Sequence, residues 1–330
     1  MKKLIVQIPC YNEEEHIAAA LADVPRALPG VDVVETQVID DGSSDGTARA
    51  ARESGAHHVV LLPQHMGLAH AFLAGVHNAL GLGADVLVNT DADRPYSGRD
   101  IERLVAPIVR GEAQVVVGCR DIRKVPHFSP LKRLLQRVGA WVVNRATGLR
   151  LPDVTSGFRA YGREAMLRMN VFSHYSYTLE TLIQAGRLGL AVAHIMVEPN
   201  PEVRPSRLAR SIAHYVLQSV LIILRVTTLY YPLRVFLSLG ALSFAAALAL
   251  VGRYLYYYTL TGAVGHLPSL ALAGVLVVLG IVLSVGGLLA DLMAAQRMLL
   301  EETLYRERQR LYAHAPSRHE VAGQADSSAS

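Results

Sequence analysis

Two stretches of this chain leave little choice of surroundings. Residues 235–252 and, roughly, 267–290 carry no charged side chain, and each is long enough as a helix to cross a hydrocarbon core of about 30 Å. Arg253 closes the first stretch, and Tyr254, Tyr256, Tyr257 and Tyr258 follow it as an interfacial aromatic belt would. Arg253 itself can extend its stem to reach headgroups. The connection 259–266 lacks Lys and Arg, whereas Arg204, Arg207, Arg210, Arg225 and Arg234 precede the first stretch and Arg297, Arg306, Arg308 and Arg310 follow the second. By the positive-inside rule both termini and the preceding domain are cytoplasmic. The expectation is a chain with two spans in the cell inner (plasma) membrane.

At 330 residues, 51% of them hydrophobic, the chain has room for one full domain before these spans. The apolar start of the chain ends at Pro9 and runs into Asn12, Glu13, Glu14 and Glu15, too short and too acidic for a signal peptide, so it reads as a first strand. Apolar runs at 4–8, 33–39, 58–62, 85–89 and 114–118 alternate with helical spacing at 14–27, 45–54, 68–80 and 98–110. Ser97 to Asp100 has the pattern of a capping box at the start of the last helix. The series predicts an α/β fold with a mostly parallel sheet, helices on both faces, and ligands at the carboxyl ends of the strands.

Further on, 129–147 reads as a basic helix, 155–158 as a turn and 178–187 as a helix. Over 206–225, apolar Leu208, Ile212, Val216 and Ile223 separate from Arg207, Arg210, His214 and Arg225, as in a helix lying at a membrane interface. The expected organisation is a catalytic domain at 1–205, an interfacial amphipathic region at 206–234, two transmembrane helices within 235–292, and a cytoplasmic helix with a disordered tail at 293–330. Cys10 and Cys119, the only two cysteines, suit a reducing compartment and read as small buried residues. The net charge of only +4, with basic residues crowding towards the spans, argues against a nucleic-acid partner. His57, His58, His65, His70 and His77 lack a zinc spacing and read as structural or surface groups.

Chemistry concentrates at two acidic strand ends. Asp40 and Asp41 follow the second strand, and Asp91 and Asp93 follow the fourth. Alternate residues of an extended segment point the same way, so Asp91 and Asp93 can converge on one hard cation. Several arginines lie near this acidic site in sequence order, and their forked guanidinium groups suit phosphate oxygens. The combination points to two phosphate-bearing substrates. Arg123, Lys124 and Lys132 also read as a basic face held near anionic lipid.

Taken together, Ile8-Pro9-Cys10-Tyr11-Asn12-Glu13-Glu14, Asp40 to Thr47, and Asp91-Ala92-Asp93 resemble the family 2 inverting glycosyltransferases of GT-A fold. Gly118-Cys119-Arg120, Asp153 to Arg159 and the two spans are similar to the polyprenyl-phosphate branch, which includes dolichol-phosphate mannose synthase. The resemblance covers about residues 3–310. It implies that Pro9, Tyr11, Asn12 and Glu13 line the nucleoside pocket, with Ile39 and Asp41 closing on base and ribose. It implies Mg²⁺ or Mn²⁺ held by Asp91 and Asp93 against the donor diphosphate, with the Ala92 backbone close by. Arg120, Arg133 and Arg137 match positions facing the acceptor phosphate, Arg120 also bordering the donor, and Arg204 and Arg207 match a loop over the donor phosphates. Asp153 would orient the acceptor or act as a base, and Glu180 would bind sugar hydroxyls. The chain departs from the family pattern at Pro95, where a Gln is common.

The resemblance implies a UDP- or GDP-sugar as donor, polyprenyl phosphate as acceptor, the membrane as partner, and leaves self-association open. Because a lipid phosphate is already ionised near neutral pH, its attack needs no strong general base. Two other readings compete: a glycan-extending enzyme of the same family, and a membrane scaffold without turnover. The first would bring a larger membrane region and a Gln-x-x-Arg-Trp-type motif, and the sole tryptophan, Trp141, is not in one.

Overall fold

The computed structural model describes residues 1–93, 96–120, 130–171, 177–198, 228, 231–261 and 267–313, with the side chains of 130–135, 146 and 261 excepted. The chain divides into two compact units, Met1–Leu217 with Thr303–Ser330, and Gln218–Glu302.

In the first unit β1 (Lys3–Cys10), α1 (Ile17–Ala22), β2 (Val33–Asp40), α2 (Thr47–Glu53), β3 (His58–Leu61), α3 (Leu68–Gly81), β4 (Val86–Asn89), α4 (Asp100–Val109) and β5 (Val115–Arg120) alternate as expected. They continue into α5 (Pro130–Thr147), β6 (Arg159–Gly162), α6 (Arg163–Arg168), α7 (Thr178–Arg187) and β7 (Val192–Val197). The seven strands lie in the order β3-β2-β1-β4-β6-β5-β7. All neighbours are parallel except β6, which runs antiparallel between β4 and β5. The result is a GT-A-like α/β fold. It brings the carboxyl ends of β1, β2, β4 and β5 and the amino end of β6 to one edge.

Burial explains why the central strands are so apolar. Every residue of β1 after Lys3 is buried, because helices cover both faces of the sheet. On one face Leu4 and Val6 join Val86, Val88 and Val116 beneath Ile101, Leu104 and Val105 of α4. Towards the carboxyl edge Ile8 and Cys10 pack with Ile17, Ala20 and Leu21 of α1. On the other face Gln7 approaches α3 so closely that a Cβ on Gly75 would lie 2.1 Å from its Oε1. Cys10 and Cys119 are both buried free thiols, and burial pushes the Cys119 thiol up to about 11.

Three local expectations change. First, α1 is shorter than 14–27. Ahead of it Glu13 N–H donates to Thr47 Oγ1 at 2.9 Å and Glu14 N–H to Asp45 Oδ2 at 3.3 Å, so the α2 entry loop satisfies donors that the start of a helix leaves unpaired. Second, only the serine half of the capping box forms: Ser97 Oγ accepts the Arg99 N–H at 3.3 Å, while the N-cap of α4 is Arg99, without a side-chain cap bond. Asp100 pairs instead with Arg103 at 2.7 Å, and Asp23 Oδ2 takes the Gly98 N–H at 2.8 Å. A charged fork one turn on competes successfully for the carboxylate. Third, β6, α6 and β7 are additions to the expected series. β6 is only four residues long and passes directly into α6 with no turn residue between them.

Residues 303–313 end a helix, α9 (Leu267–Ala313), and pack on α6 and α3. Arg308 Nη1 donates to the Met169 and Leu167 carbonyls at 2.8 and 3.2 Å. Tyr305 donates to Glu164 at 3.0 Å and lies under the Arg168 guanidinium at 3.8 Å. Tyr312 reaches His77 at 3.2 Å, and its carbonyl accepts from Arg163 at 2.9 Å.

The second unit holds α8 (Pro232–Thr261) and the earlier part of α9. Both helices are long and apolar enough to cross a membrane. Their apolar side chains point outward, with Leu248 at 73% and Val275 at 62% exposure. The two helices meet through small residues: a Cβ on Gly280 would lie 2.8 Å from Phe244, and one on Gly287 2.8 Å from Phe236. Ser243 Oγ donates across the pair to the Leu276 carbonyl at 2.8 Å. Apolar outside and small residues inside is the pattern of a helix pair in lipid.

Candidate active site

β4 delivers the acidic pair. Its last residue, Asn89, is fully buried, and Thr90 N–H still bonds to the Gln7 carbonyl at 3.0 Å, so the strand direction persists to Asp91. Burial and then the Asp93 charge raise the Asp91 carboxyl to about 6; Glu13 adds to the rise and Arg120 opposes it. Three acids and one guanidinium therefore share one field. The backbone of Gly157 lies over Asp91, where a Cβ would come within 3.6 Å of its carboxylate.

Opposite stands Arg120, the last residue of β5. Its Nε donates to Asp153 Oδ2 at 2.8 Å and its terminal nitrogen to Thr155 Oγ1 at 3.2 Å. Asp153 Oδ1 accepts from Thr155 N–H at 2.9 Å and from its hydroxyl at 2.8 Å. Burial alone would push the Asp153 carboxyl up, but the Arg120 charge and these bonds hold it below its ordinary range. Asp153 is 1% exposed and Arg120 24%. With both oxygens engaged, Asp153 fixes the direction of the Arg120 guanidinium.

The loop 153–158 that carries this pair is itself held from below. Arg159 is fully buried and donates to the carbonyls of Val154, Ser156 and Thr178 at 2.9, 2.8 and 2.6 Å and to Thr181 Oγ1 at 2.9 Å. A Cβ on Gly118 would lie 2.6 Å from the Phe158 ring, so β5 can pass under the loop only with glycine there. Phe158 stacks on Tyr96 at 4.8 Å, and Tyr96 bonds to Ser156 at 3.2 Å.

Sequence reasoning missed a set of supporting amides. Gln37 donates to Gln7 at 3.2 Å, Gln7 to Asn89 at 2.7 Å, and Asn89 to the Tyr177 hydroxyl at 2.7 Å and the Gly157 carbonyl at 3.1 Å. Asn78 of α3 donates to Gln37 at 2.8 Å. The signal was one amide in each of three apolar strands; the pairing register aligns Gln37, Gln7 and Asn89 across β2, β1 and β4. This ladder ends beneath Gly157, beside Asp91.

On the β1–β2 side Tyr11 stacks on His65 with centroids 3.9 Å apart. His65 Nδ1 lies 2.8 Å from Asp41 Oδ2, and Asp41 also accepts the Met66 and Gly67 N–H groups at 2.8 Å each. Asp41 thus organises the loop that presents His65. Asn12, at φ 55, crosslinks the same edge by accepting from Ser44 N–H at 2.9 Å and donating its own N–H to Ser43. Tyr11 is 38% exposed, Glu13 8% and Ile39 0%, while Pro9 is buried. Ile39 therefore lies in the core beneath this edge.

Ala92 is buried beside the acidic pair. Glu180 is buried in the first turn of α7. Arg137 is exposed on α5. Pro95, Arg204, Arg207, the interfacial helix at 206–225 and the side chain of Arg133 lie outside the described residues.

Among the described residues no group of three or more His, Cys, Asp and Glu side chains is placed to hold a metal ion. The two carboxylates of Asp91 and Asp93 fit a divalent cation in another way. They are hard, half-buried oxygen donors whose mutual repulsion a cation would relieve, with the remaining ligands coming from a bound phosphate or water.

The model of the family described as Glycosyl transferase family 2 matches residues 5–169. The undecaprenyl-phosphate mannosyltransferase of Micrococcus luteus is 28% identical over 205 residues, 59% of this chain and 82% of that protein. The polyprenol monophosphomannose synthase of Mycolicibacterium smegmatis is 30% identical over 208 residues, 59% of this chain and 77% of that protein. Among solved structures, glucosyl-3-phosphoglycerate synthase from Mycobacterium tuberculosis, in complex with Mn²⁺, UDP and glucosyl-3-phosphoglycerate, superposes with a TM-score of 0.52 at 25% identity. That match covers 67% of this chain and 80% of the other.

Proposed function

This chain belongs to glycosyl transferase family 2, and from that premise we propose that it moves a sugar, with inversion, from a UDP- or GDP-sugar to polyprenyl phosphate at the cytoplasmic face of the inner membrane. The observation that carries this reading is the half-buried Asp91–Asp93 pair, whose charges interact, facing a guanidinium aimed by Asp153. One side suits a cation-bound diphosphate and the other a second phosphate. The names of the mannosyl-transferring relatives, and the Mn²⁺ and UDP of the solved structure, agree with both halves.

In this reading Asp91 and Asp93 hold Mg²⁺ or Mn²⁺, which supplies charge neutralisation for the departing nucleoside diphosphate. Tyr11 and His65 form a flat wall for the base, with Asn12, Glu13 and Asp41 shaping the rim and Pro9 and Ile39 its back. Arg120 sits between the substrates and binds the acceptor phosphate together with Arg133 and Arg137, while Arg204 and Arg207 cover the donor phosphates. A phosphate oxygen of the acceptor attacks the anomeric carbon as the diphosphate oxygen leaves with its bonding electrons. No proton needs to be removed, which agrees with the occupied oxygens and lowered pKa of Asp153. Asp153 is accordingly assigned to positioning. We assign catalysis to 1–205, an interfacial role to 206–234, the spans to 235–292 and a cytoplasmic end to 293–330.

The test is a screen of UDP- and GDP-sugars with the membrane-reconstituted chain and polyprenyl phosphate, read by mass spectrometry of extracted lipid. A polyprenyl-phosphate monosaccharide is expected. A growing glycan, or donor hydrolysis without a lipid product, would overturn the acceptor assignment.

A further inference from the structure

α5 presents two unlike faces. Gln136, Ala140 and Val143 are buried at 9, 7 and 4% exposure. The helix cannot readily roll, because Asn144 bonds both to the Leu151 carbonyl at 2.9 Å and to its N–H at 3.0 Å. At its end Thr147 fits against Gly186 of α7, where a Cβ would come within 2.7 Å. On the outward face Trp141 is 66% and Val138 46% exposed, flanked by exposed Arg137 and Arg145. Arg137, Trp141 and Arg145 are four residues apart in turn and so share one side of the helix.

Charge selects the occupant of this face. Arg137 and Arg145 border Trp141, Arg150 follows, exposed, just beyond the end of the helix, and residues 136–152 contain no Asp or Glu. An indole with an apolar body and a donor N–H, bordered by arginines that can extend to headgroups, matches the boundary of an anionic bilayer. We propose that the outward face of α5, centred on Trp141, docks on the surface of an anionic membrane. The proposal rests on the reading that α8 and α9 anchor the chain. Anchoring keeps a bilayer at high effective concentration, so a small contact suffices. Docking would hold the acceptor side of the site at headgroup level, where the phosphate of a long lipid resides.

Trp141 is the only tryptophan, so the fluorescence of the unaltered full chain reports this face alone. The chain is placed in nanodiscs of phosphatidylcholine, with or without phosphatidylglycerol, whose acyl chains carry bromine near the headgroup, near the methyl end, or not at all. In anionic discs the emission should be blue-shifted, quenched more by shallow than by deep bromine, and shielded from aqueous acrylamide. Arg145→Gln and Arg150→Gln should each lower the ratio of docked to undocked protein about five-fold. The double variant should regain acrylamide quenching while its nucleotide affinity is unchanged. Emission that stays acrylamide-quenched and insensitive to bromine would overturn the proposal. So would a blue shift without bromine quenching, which would place protein, such as a second copy, over Trp141. If the chain does not co-elute with the discs, the anchoring reading fails and the docking proposal fails with it, a result separate from the tryptophan signal.

Discussion

Asp91 is a carboxyl group that the fold places where its charge is costly. Burial and the neighbouring Asp93 raise it from an ordinary 3.8 to about 6. A raised acid holds its proton more firmly in the folded than in the unfolded chain. Without a cation, its contribution is therefore neutral below about pH 4 and destabilising as pH rises towards and through 6, by about 3 kcal/mol in all. Asp91→Asn should raise the thermal midpoint of the cation-free protein at pH 8, with little effect at pH 4, and abolish transfer. Thermal melts in chelator and a transfer assay check both halves. For the unaltered protein, Mn²⁺ should stabilise more at pH 8 than at pH 5; equal stabilisation would remove Asp91 from the ligand set. Arg120→Ala leaves the Asp153 carboxylate buried without its partner, and should destabilise by about 3–5 kcal/mol while weakening both substrates. Asp153→Asn keeps the shape, so it should lower kcat more than it changes donor affinity. Titration calorimetry beside steady-state kinetics separates the two.

Among the elements, the three central strands and the loop at 153–158 act as one support. The amide ladder crosses β2, β1 and β4 within an apolar sheet and ends on Gly157 and Tyr177, so each amide has its partner's carbonyl or N–H to satisfy. Asn89→Leu should cost about 1–3 kcal/mol for each polar group it strands. Because the Gly157 carbonyl then loses a donor beside Asp91, kcat should fall further than the loss of folded protein explains. Denaturant unfolding with kinetics on the folded fraction would show whether it does. At the other end of the domain, α6 closes its last turn with Arg308 from a distant part of the sequence.

For the whole molecule, the consequence is that the chain's two units are not two halves of its sequence. The first unit takes in both Met1–Leu217 and Thr303–Ser330. Truncation near Tyr231 therefore removes the two long apolar helices and also Tyr305, Arg308 and Tyr312 from the surface of the first unit. The truncated domain should still bind nucleotide, transfer poorly to long-chain lipid phosphate, and melt below the full chain. Adding a peptide of residues 303–313 should recover part of the lost thermal midpoint, as any ligand of the folded state does. Nucleotide-binding calorimetry and melts with and without peptide test this. A truncated domain as stable as the full chain, and indifferent to the peptide, would mean that these contacts contribute nothing.

The sequence by itself determined whatever is written in local periodicity and chemistry. Five strands, the alternating helices and the two apolar stretches are legible because a strand buried on both faces and a helix in lipid each impose a pattern on neighbouring residues. The acidic pair at Asp91 and Asp93 and the basic residues from Arg120 onward are legible for a related reason, since charge at a strand end is conspicuous. The tertiary structure decided what depends on distance between remote residues. It turned β6 against its neighbours, moved the Asp100 carboxylate from a cap to Arg103, and engaged both oxygens of Asp153. It also put His65 against Tyr11 and joined Gln37, Gln7 and Asn89 into one ladder. None of these could be read locally, because a hydrogen bond is won by whichever partner packing brings within about 3 Å, and packing is settled by the whole chain.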